Sequence, residues 1–261
     1  MAAHESKRPV CQPSFSLVRS RPMDPILMSD AHVDAFYGVL AAANPEPATE
    51  LAFRNPYTLL VAVVLSAQAT DVSVNRISEG LFKIADTPEK MLQLGEDGVR
   101  EHIRTIGLFN TKTKNVIALS RALVERHAGE VPADRAALEA LPGVGRKSAN
   151  VVLNVAFGQP TVAVDTHVFR VANRTGVAPG RTPREVEDVL TARTPERWLR
   201  NAHHWLILHG RYVCKARRPE CWRCPVRSLC TYPNKTAAPA AGGFRAPAAD
   251  SPSDPHRTGK R

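Results

Sequence analysis

Lys147 sits in Leu141-Pro142-Gly143-Val144-Gly145-Arg146-Lys147-Ser148-Ala149-Asn150, a stretch whose residue types suggest chemistry before they suggest packing. Asp134 to Ala140 is rich in Ala and Leu and stops before the Pro-Gly pair, and Arg146 to Ala156 contains neither Gly nor Pro. Two helices therefore meet at a sharp reversal. Gly143 and Gly145 are expected to take turn conformations closed to other residues and to leave room for a partner's backbone. The free amides at the start of the second helix then form an anion site, reinforced by the helix dipole. Lys147 falls on the first turn of that helix, where the positive helix end lowers an amine's pKa and favours its neutral, nucleophilic form. Taken alone, the motif is more often a plain helix–helix turn whose lysine is solvated or touches a phosphate. Eighteen residues on, Asp165 stands in Val164-Asp165-Thr166-His167, ahead of a helix. An aspartate there commonly caps the helix. The same carboxylate can take a proton from an amine or steady a developing positive charge, and the two roles are compatible.

Four of the five cysteines, Cys214, Cys221, Cys224 and Cys230, are packed together in the order C-x6-C-x2-C-x5-C. Such clustering reads as a metal loop in a reducing compartment, not as a disulfide scaffold. Four thiolates suit a [4Fe–4S] cluster. Zinc sites usually show two CxxC knuckles and this loop has one, so zinc is the second choice. The fifth cysteine, Cys11, stands alone with no assigned role.

The hairpin lysine, the aspartate and the cysteine spacing occur together and in order. With them the chain resembles the endonuclease III family of DNA repair glycosylases over about residues 28–233. The resemblance implies that Lys147 and Asp165 are catalytic and that the four cysteines hold a [4Fe–4S] cluster. It implies a bifunctional DNA glycosylase and abasic-site lyase of base excision repair that removes oxidised pyrimidines. The lysine amine would displace an extruded base at the sugar C1′ and form a Schiff base. That intermediate acidifies the C2′ proton, so β-elimination cuts the strand 3′ to the site. Gln68, in Ser-Ala-Gln-Ala-Thr, and Leu108, in Ile-Gly-Leu-Phe-Asn, match the residues that fill the gap left by the base. Their ordinary alternatives are a helix-end polar residue and a core leucine. Gly143, Gly145 and Arg146 would contact DNA, and Lys215, Arg217, Arg218, Arg223 and Arg227 are candidates for phosphate contacts. The expected partner is double-stranded DNA carrying oxidised pyrimidines or abasic sites. The expected state is a monomer in the cytoplasm, at the nucleoid if bacterial, with no membrane. Two other readings remain. One is an adenine glycosylase of the same superfamily, which lacks a lysine at the position of Lys147 and carries a long C-terminal recognition domain. The other is a non-catalytic helix-hairpin-helix DNA-binding or redox-sensing iron–sulfur protein.

The elements that must position these residues read as all-α. A helix begins after Ser29 with Val33, Phe36, Tyr37 and Leu40 on one face and ends before Pro45. Leu59 to Leu65 is apolar on nearly all sides and is assigned to a buried helix. Thr87-Pro88, Thr182-Pro183 and Thr194-Pro195 each place a capping hydroxyl before a proline suited to the first helical position. Glu185 completes a capping-box spacing with Thr182. Asp97-Gly98 has no alternating flanks and is assigned to a loop. Val116, Leu119 and Leu123 share a face, as do Val168, Val171 and Ala172, and Val186, Val189 and Leu190. His203, His204 and His209 lie among Trp205 to Leu208 and read as core or hydrogen-bonded histidines.

The resemblance implies two helical lobes with a DNA-binding cleft between them. A six-helix lobe over 49–159 would contain the hairpin, and 28–48 would join 160–235 in a lobe that ends in the cluster loop. Residues 1–27 and 236–261 would be disordered, dispensable tails. Net charge is +10 with a pI near 9.7, which favours a polyanionic partner. There is neither an apolar run long enough for a spanning helix nor the apolar core of a secretory signal.

Overall fold

Local capping chemistry sets most of the helix starts in the computed structural model, which describes residues 26–239. Ten α-helices and one 3-10 turn, with no strand, make up the described residues. They are α1 (Asp30–Ala43), α2 (Pro56–Leu65), α3 (Asp71–Ile84), α4 (Pro88–Ile103), α5 (Phe109–His127), α6 (Arg135–Glu139), α7 (Arg146–Phe157), α8 (Thr166–Thr175), α9 (Pro183–Arg193) and α10 (Glu196–Tyr212). Ser29, Thr70, Thr87, Asp134 and Thr182 each accept an N–H of the first turn that follows.

Two apolar cores form. The first joins α2 to α7 through Leu59, Leu65, Leu81, Met91, Leu119 and Val152. The second packs α1 against α8, α9 and α10 through Phe36, Tyr37, Val171, Val186, Trp205 and Leu206. Every residue of α2 from Tyr57 to Leu65 is buried, which explains a sequence apolar on all sides. Full burial of each such aliphatic side chain contributes about 1.5–3 kcal/mol.

Four local expectations need correction. Thr194 does not cap α10: it ends α9, is buried, and its hydroxyl donates to the Tyr37 hydroxyl at 3.2 Å. Asp97-Gly98 is not the break in its region. The chain turns at Gly95 (φ 72°, ψ 174°), and Asp97 and Gly98 lie in the helical segment just beyond it. Glu185 reaches past Thr182 to accept the Arg181 N–H at 2.8 Å, whereas a reciprocal box forms between Asn55 and Thr58. Both tail limits also move. The Ile26 carbonyl accepts from the Thr231 hydroxyl at 2.8 Å, and Met28 is buried with its N–H on the Gly176 carbonyl. Thr236 accepts the Cys221 N–H at 3.2 Å, so it belongs to the cysteine loop. Residues 1–25 and 240–261, with Cys11, lie outside the described residues.

Candidate active site and cysteine loop

Pro142 and Gly143 reverse the chain between α6 and α7. Gly143 has φ +77°, and a Cβ there would meet the Asn115 side chain at 2.8–2.9 Å, so this position requires glycine on both counts. Gly145 differs from expectation. It is extended (φ −99°, ψ 175°), a conformation open to any residue, and caps α7 without a side chain. Nothing lies within 4 Å of where its Cβ would be. Its value is therefore open access to the uncapped amides of α7.

Lys147, the second residue of α7, lines a pocket shared with Glu50, Ser66, Asp71, His203 and Arg211. Asp71 and Ser66 come from the elements of the first core, His203 and Arg211 from α10 in the second. The pocket thus lies between the lobes. Burial lowers the pKa of the Lys147 ammonium; Asp165 and then Asp71 oppose that shift, and Arg211 adds to it. Asp165 caps α8, with Oδ1 accepting the N–H groups of His167 and Val168, both at 2.8 Å. Capping through one oxygen fixes the carboxylate.

Arg146 pairs its guanidinium with a carboxylate inside the protein. Its Nε lies 3.0 Å and its Nη2 2.8 Å from the Glu187 carboxylate of α9, and Glu187 is buried. The sequence gives no hint of this partner, which is distant along the chain. Gln68 and Leu108 are two of the three non-glycine residues with positive φ among the described residues, at 54° and 59°. Both are exposed, Leu108 at 57%, so Leu108 is not a core leucine and both are held in a costly conformation on the surface.

Cys214, Cys221, Cys224 and Cys230 line one pocket. The surroundings suit thiolates bound to iron. The Arg174 Nη1 lies 3.8 Å from the Cys214 Sγ, and the His209 Nε2 lies 3.6 Å from the Cys224 Sγ. Burial pushes the Cys224 thiol up to about 11 and raises Cys230 as well, so positive charge must be supplied to hold them as thiolates. Arg174 is a contact that sequence reasoning missed; His209 had read as a core or hydrogen-bonded histidine, and its partner is the Cys224 sulfur. Arg174 also donates to the carbonyls of Lys215 and Ala216, both at 2.7 Å, and so pins the loop to α8. Of the loop's basic residues, Lys215 and Arg223 pair with Glu220, while Arg217 and Arg218 are exposed with no ion pair among the described residues.

The remaining histidines behave as read. His203 is buried with Nδ1 at 2.7 Å from the Ala163 carbonyl, and burial pushes its pKa down to about 3. His204 is buried beside it.

The profile of the HhH-GPD superfamily base excision DNA repair proteins matches residues 61–196, and that of the iron–sulfur binding domain of endonuclease III matches 214–230. Endonuclease III of Rickettsia conorii is 57% identical over 200 residues, covering 77% of this chain and 95% of the relative. The chain belongs to the endonuclease III family. Endonuclease III of Escherichia coli is 59% identical over 192 residues, 74% of this chain and 91% of the relative. A solved structure of a trapped endonuclease III–DNA covalent intermediate superposes with a TM-score of 0.74 at 42% identity, covering 78% of this chain and 96% of that one. A thermostable thymine-DNA glycosylase, at 24% identity and a TM-score of 0.71, shares the fold. The chain is accordingly a DNA glycosylase and abasic-site lyase of base excision repair with a [4Fe–4S] cluster. No helix among the described residues is long and apolar enough to cross a membrane.

Proposed function

We propose that Lys147 is the nucleophile of a reaction on oxidised pyrimidines in double-stranded DNA. The observation that carries this reading is a desolvated lysine on the first turn of α7, facing a pocket between the lobes, with the Asp165 carboxylate near enough to act on its charge. Desolvation favours the neutral amine that attack requires. Asp165 takes the proton released as the C1′–N bond forms, and the base leaves with its bonding electrons and is protonated. Opening of the C1′–O4′ bond gives the Schiff base. Loss of the C2′ proton then expels the 3′ phosphate and cuts the strand. The [4Fe–4S] cluster would be held by Cys214, Cys221, Cys224 and Cys230. When bound, it supplies positive charge that orders the loop bearing Arg217 and Arg218 for phosphate contacts.

The amides at Gly145 and the start of α7 suit a backbone phosphate, with Gly143 forming the turn that exposes them. Gln68 and Leu108, rigid and exposed, suit insertion into the duplex where the base has left. The lobe boundaries proposed are 49–159 for the hairpin lobe and 28–48 with 160–236 for the cluster lobe. The protein acts as a monomer in the cytoplasm, at the nucleoid of a bacterial cell. Borohydride should trap it on duplexes carrying thymine glycol or an abasic site. Lys147→Gln should still bind the abasic duplex yet lose trapping and cutting together. An adduct that maps to another amine, or normal trapping by the variant, overturns the assignment.

A further inference from the structure

Asp71 opens α3, and Thr70 already caps that helix, so the aspartate is not needed as a cap. Its side chain is only 17% exposed and lies 2.6 Å from the Nη1 of Arg211, on the last turn of α10. Asp71 belongs to the first lobe and Arg211 to the second, and they meet in the pocket that holds Lys147. Glu50 contacts the same Nη1 of Arg211 and also receives the Tyr212 hydroxyl. We propose that the Asp71–Arg211 pair is a positioning element that sets the charge state of Lys147, and with it the pH range in which the amine attacks; this rests on Lys147 being the nucleophile.

The two halves of the pair act on the lysine in opposite senses. The Asp71 carboxylate favours the ammonium and the Arg211 guanidinium disfavours it, so each offsets the other while burial dominates. The other groups facing Lys147 are accounted for. Asp165 faces it from the start of α8. His203 and His204 face it from α10, and burial favours the neutral form of both. Glu50 is engaged by Arg211, and the neighbouring Arg146 is occupied by Glu187. A strut that merely joined the lobes would not need to stand beside the amine. Because the pair forms across the cleft, it also makes the lysine's readiness depend on how the lobes are set.

The test is single-turnover trapping of the holoenzyme with cyanoborohydride on a duplex holding one abasic site, followed across pH. Each rate is taken relative to that variant's own plateau. Asp71→Asn should move the acid limb to lower pH and trap about threefold faster than the parent at a fixed pH on that limb. Arg211→Gln should move it the other way by a similar factor. Arg211→Lys keeps the charge and should leave the limb in place even if the plateau falls. Should Arg211→Gln fail to fold, Asp71→Asn and Arg211→Lys decide between them. Limbs that do not move, or that move in the same direction for Asp71→Asn and Arg211→Gln, overturn the proposal while Lys147→Gln is dead. Normal trapping by Lys147→Gln instead removes the reading on which it rests.

Discussion

Replacing Arg146 with Gln strands a carboxylate. Glu187 is 7% exposed and receives two N–H groups from Arg146, while the arginine side chain keeps 30% of its exposure. Removing one partner of a fully buried pair costs about 3–5 kcal/mol, because the other charge is left without compensation. Partial exposure at the arginine end reduces this to about 2–3 kcal/mol, since solvent screens a half-open pair. The reverse change, Glu187→Gln, leaves the guanidinium with water and with Glu139 at 3.7 Å, and should cost only about 1 kcal/mol. At about 2–4 °C per kcal/mol for a chain of this size, Arg146→Gln should lower the melting midpoint by about 5–10 °C and Glu187→Gln by about 2–4 °C. The double variant should be more stable than Arg146→Gln alone, since the stranded charge is gone. DNA binding supplies the second measurement. A guanidinium already spent on Glu187 releases no counterions, so the slope of log affinity against log salt should be unchanged in Arg146→Gln. A phosphate ligand would reduce that slope by about 1. Parent-like stability with a reduced slope would refute the argument and restore Arg146 as a DNA contact.

Gln68→Gly and Leu108→Gly should each raise stability by about 1 kcal/mol by relieving a left-handed backbone, yet lower base release while abasic-site cutting suffers less. Thermal melts and separate product assays check this, and stability loss with normal base release would contradict it. A chain ending at residue 235 should lose iron faster than one ending at 239, because Thr236 holds the Cys221 amide and the Pro219 carbonyl. Visible absorbance during chelation reports the difference. His203, pushed down to about 3 in the fold, binds a proton more readily when unfolded. Its contribution to stability is therefore full above about pH 6.5 and lost at up to about 1.4 kcal/mol per pH unit as pH falls toward the folded value. His203→Gln should flatten denaturant midpoints over that window, and an unchanged acid slope counts against the buried neutral imidazole.

Much of this was legible in the chain because it rests on local chemistry. The hydroxyls of Thr87 and Thr182 and the carboxylates of Asp134 and Asp165 cap helices from within a few residues, and the period of Val116, Leu119 and Leu123 is a property of one helix. The hairpin and the cysteine loop are also short-range patterns. What could not be read was every contact between distant segments. The pairing of Arg146 with Glu187 could not be read because Glu187 is far along the chain. Thr194 looked like a cap because Tyr37 is farther still. His209, Arg174, Asp71 and Arg211 carry no motif; their roles follow from which faces of α3, α8 and α10 the two cores bring together. Asp97-Gly98 misled for a different reason: the same dipeptide fits a turn or the start of a helix, and Gly95 took the turn.

The proposed pairing of Lys147 with Asp165 depends on a stretch with no regular structure. Gly158 ends α7 in the left-handed region, and residues 159–165 carry the chain from one lobe to the other without a helix. That crossing must return Asp165 to Lys147, which started the same helix. Buried polar groups hold it in place. Asn150 donates to the Val162 carbonyl at 3.0 Å and accepts the Thr161 hydroxyl at its own carbonyl, 2.7 Å away. One turn on, Asn154 shares its amide among the carbonyls of Gln159, Thr161 and Arg200, at 3.2, 3.0 and 2.9 Å. His203 fixes the Ala163 carbonyl from α10. Asn154→Leu fills a similar volume but leaves the Thr161 carbonyl unpaired in the interior, while the Gln159 carbonyl keeps the Thr161 N–H and the Arg200 carbonyl its place inside α10. Stability should drop by about 1–3 kcal/mol. The more telling result is kinetic. The first lobe keeps its hairpin, so affinity for an abasic-site analogue should change little, while the rate of base release falls as Asp165 loses its fixed distance to the amine. Equal losses in affinity and rate would show that the crossing segment supports the whole cleft and not the alignment of these two residues.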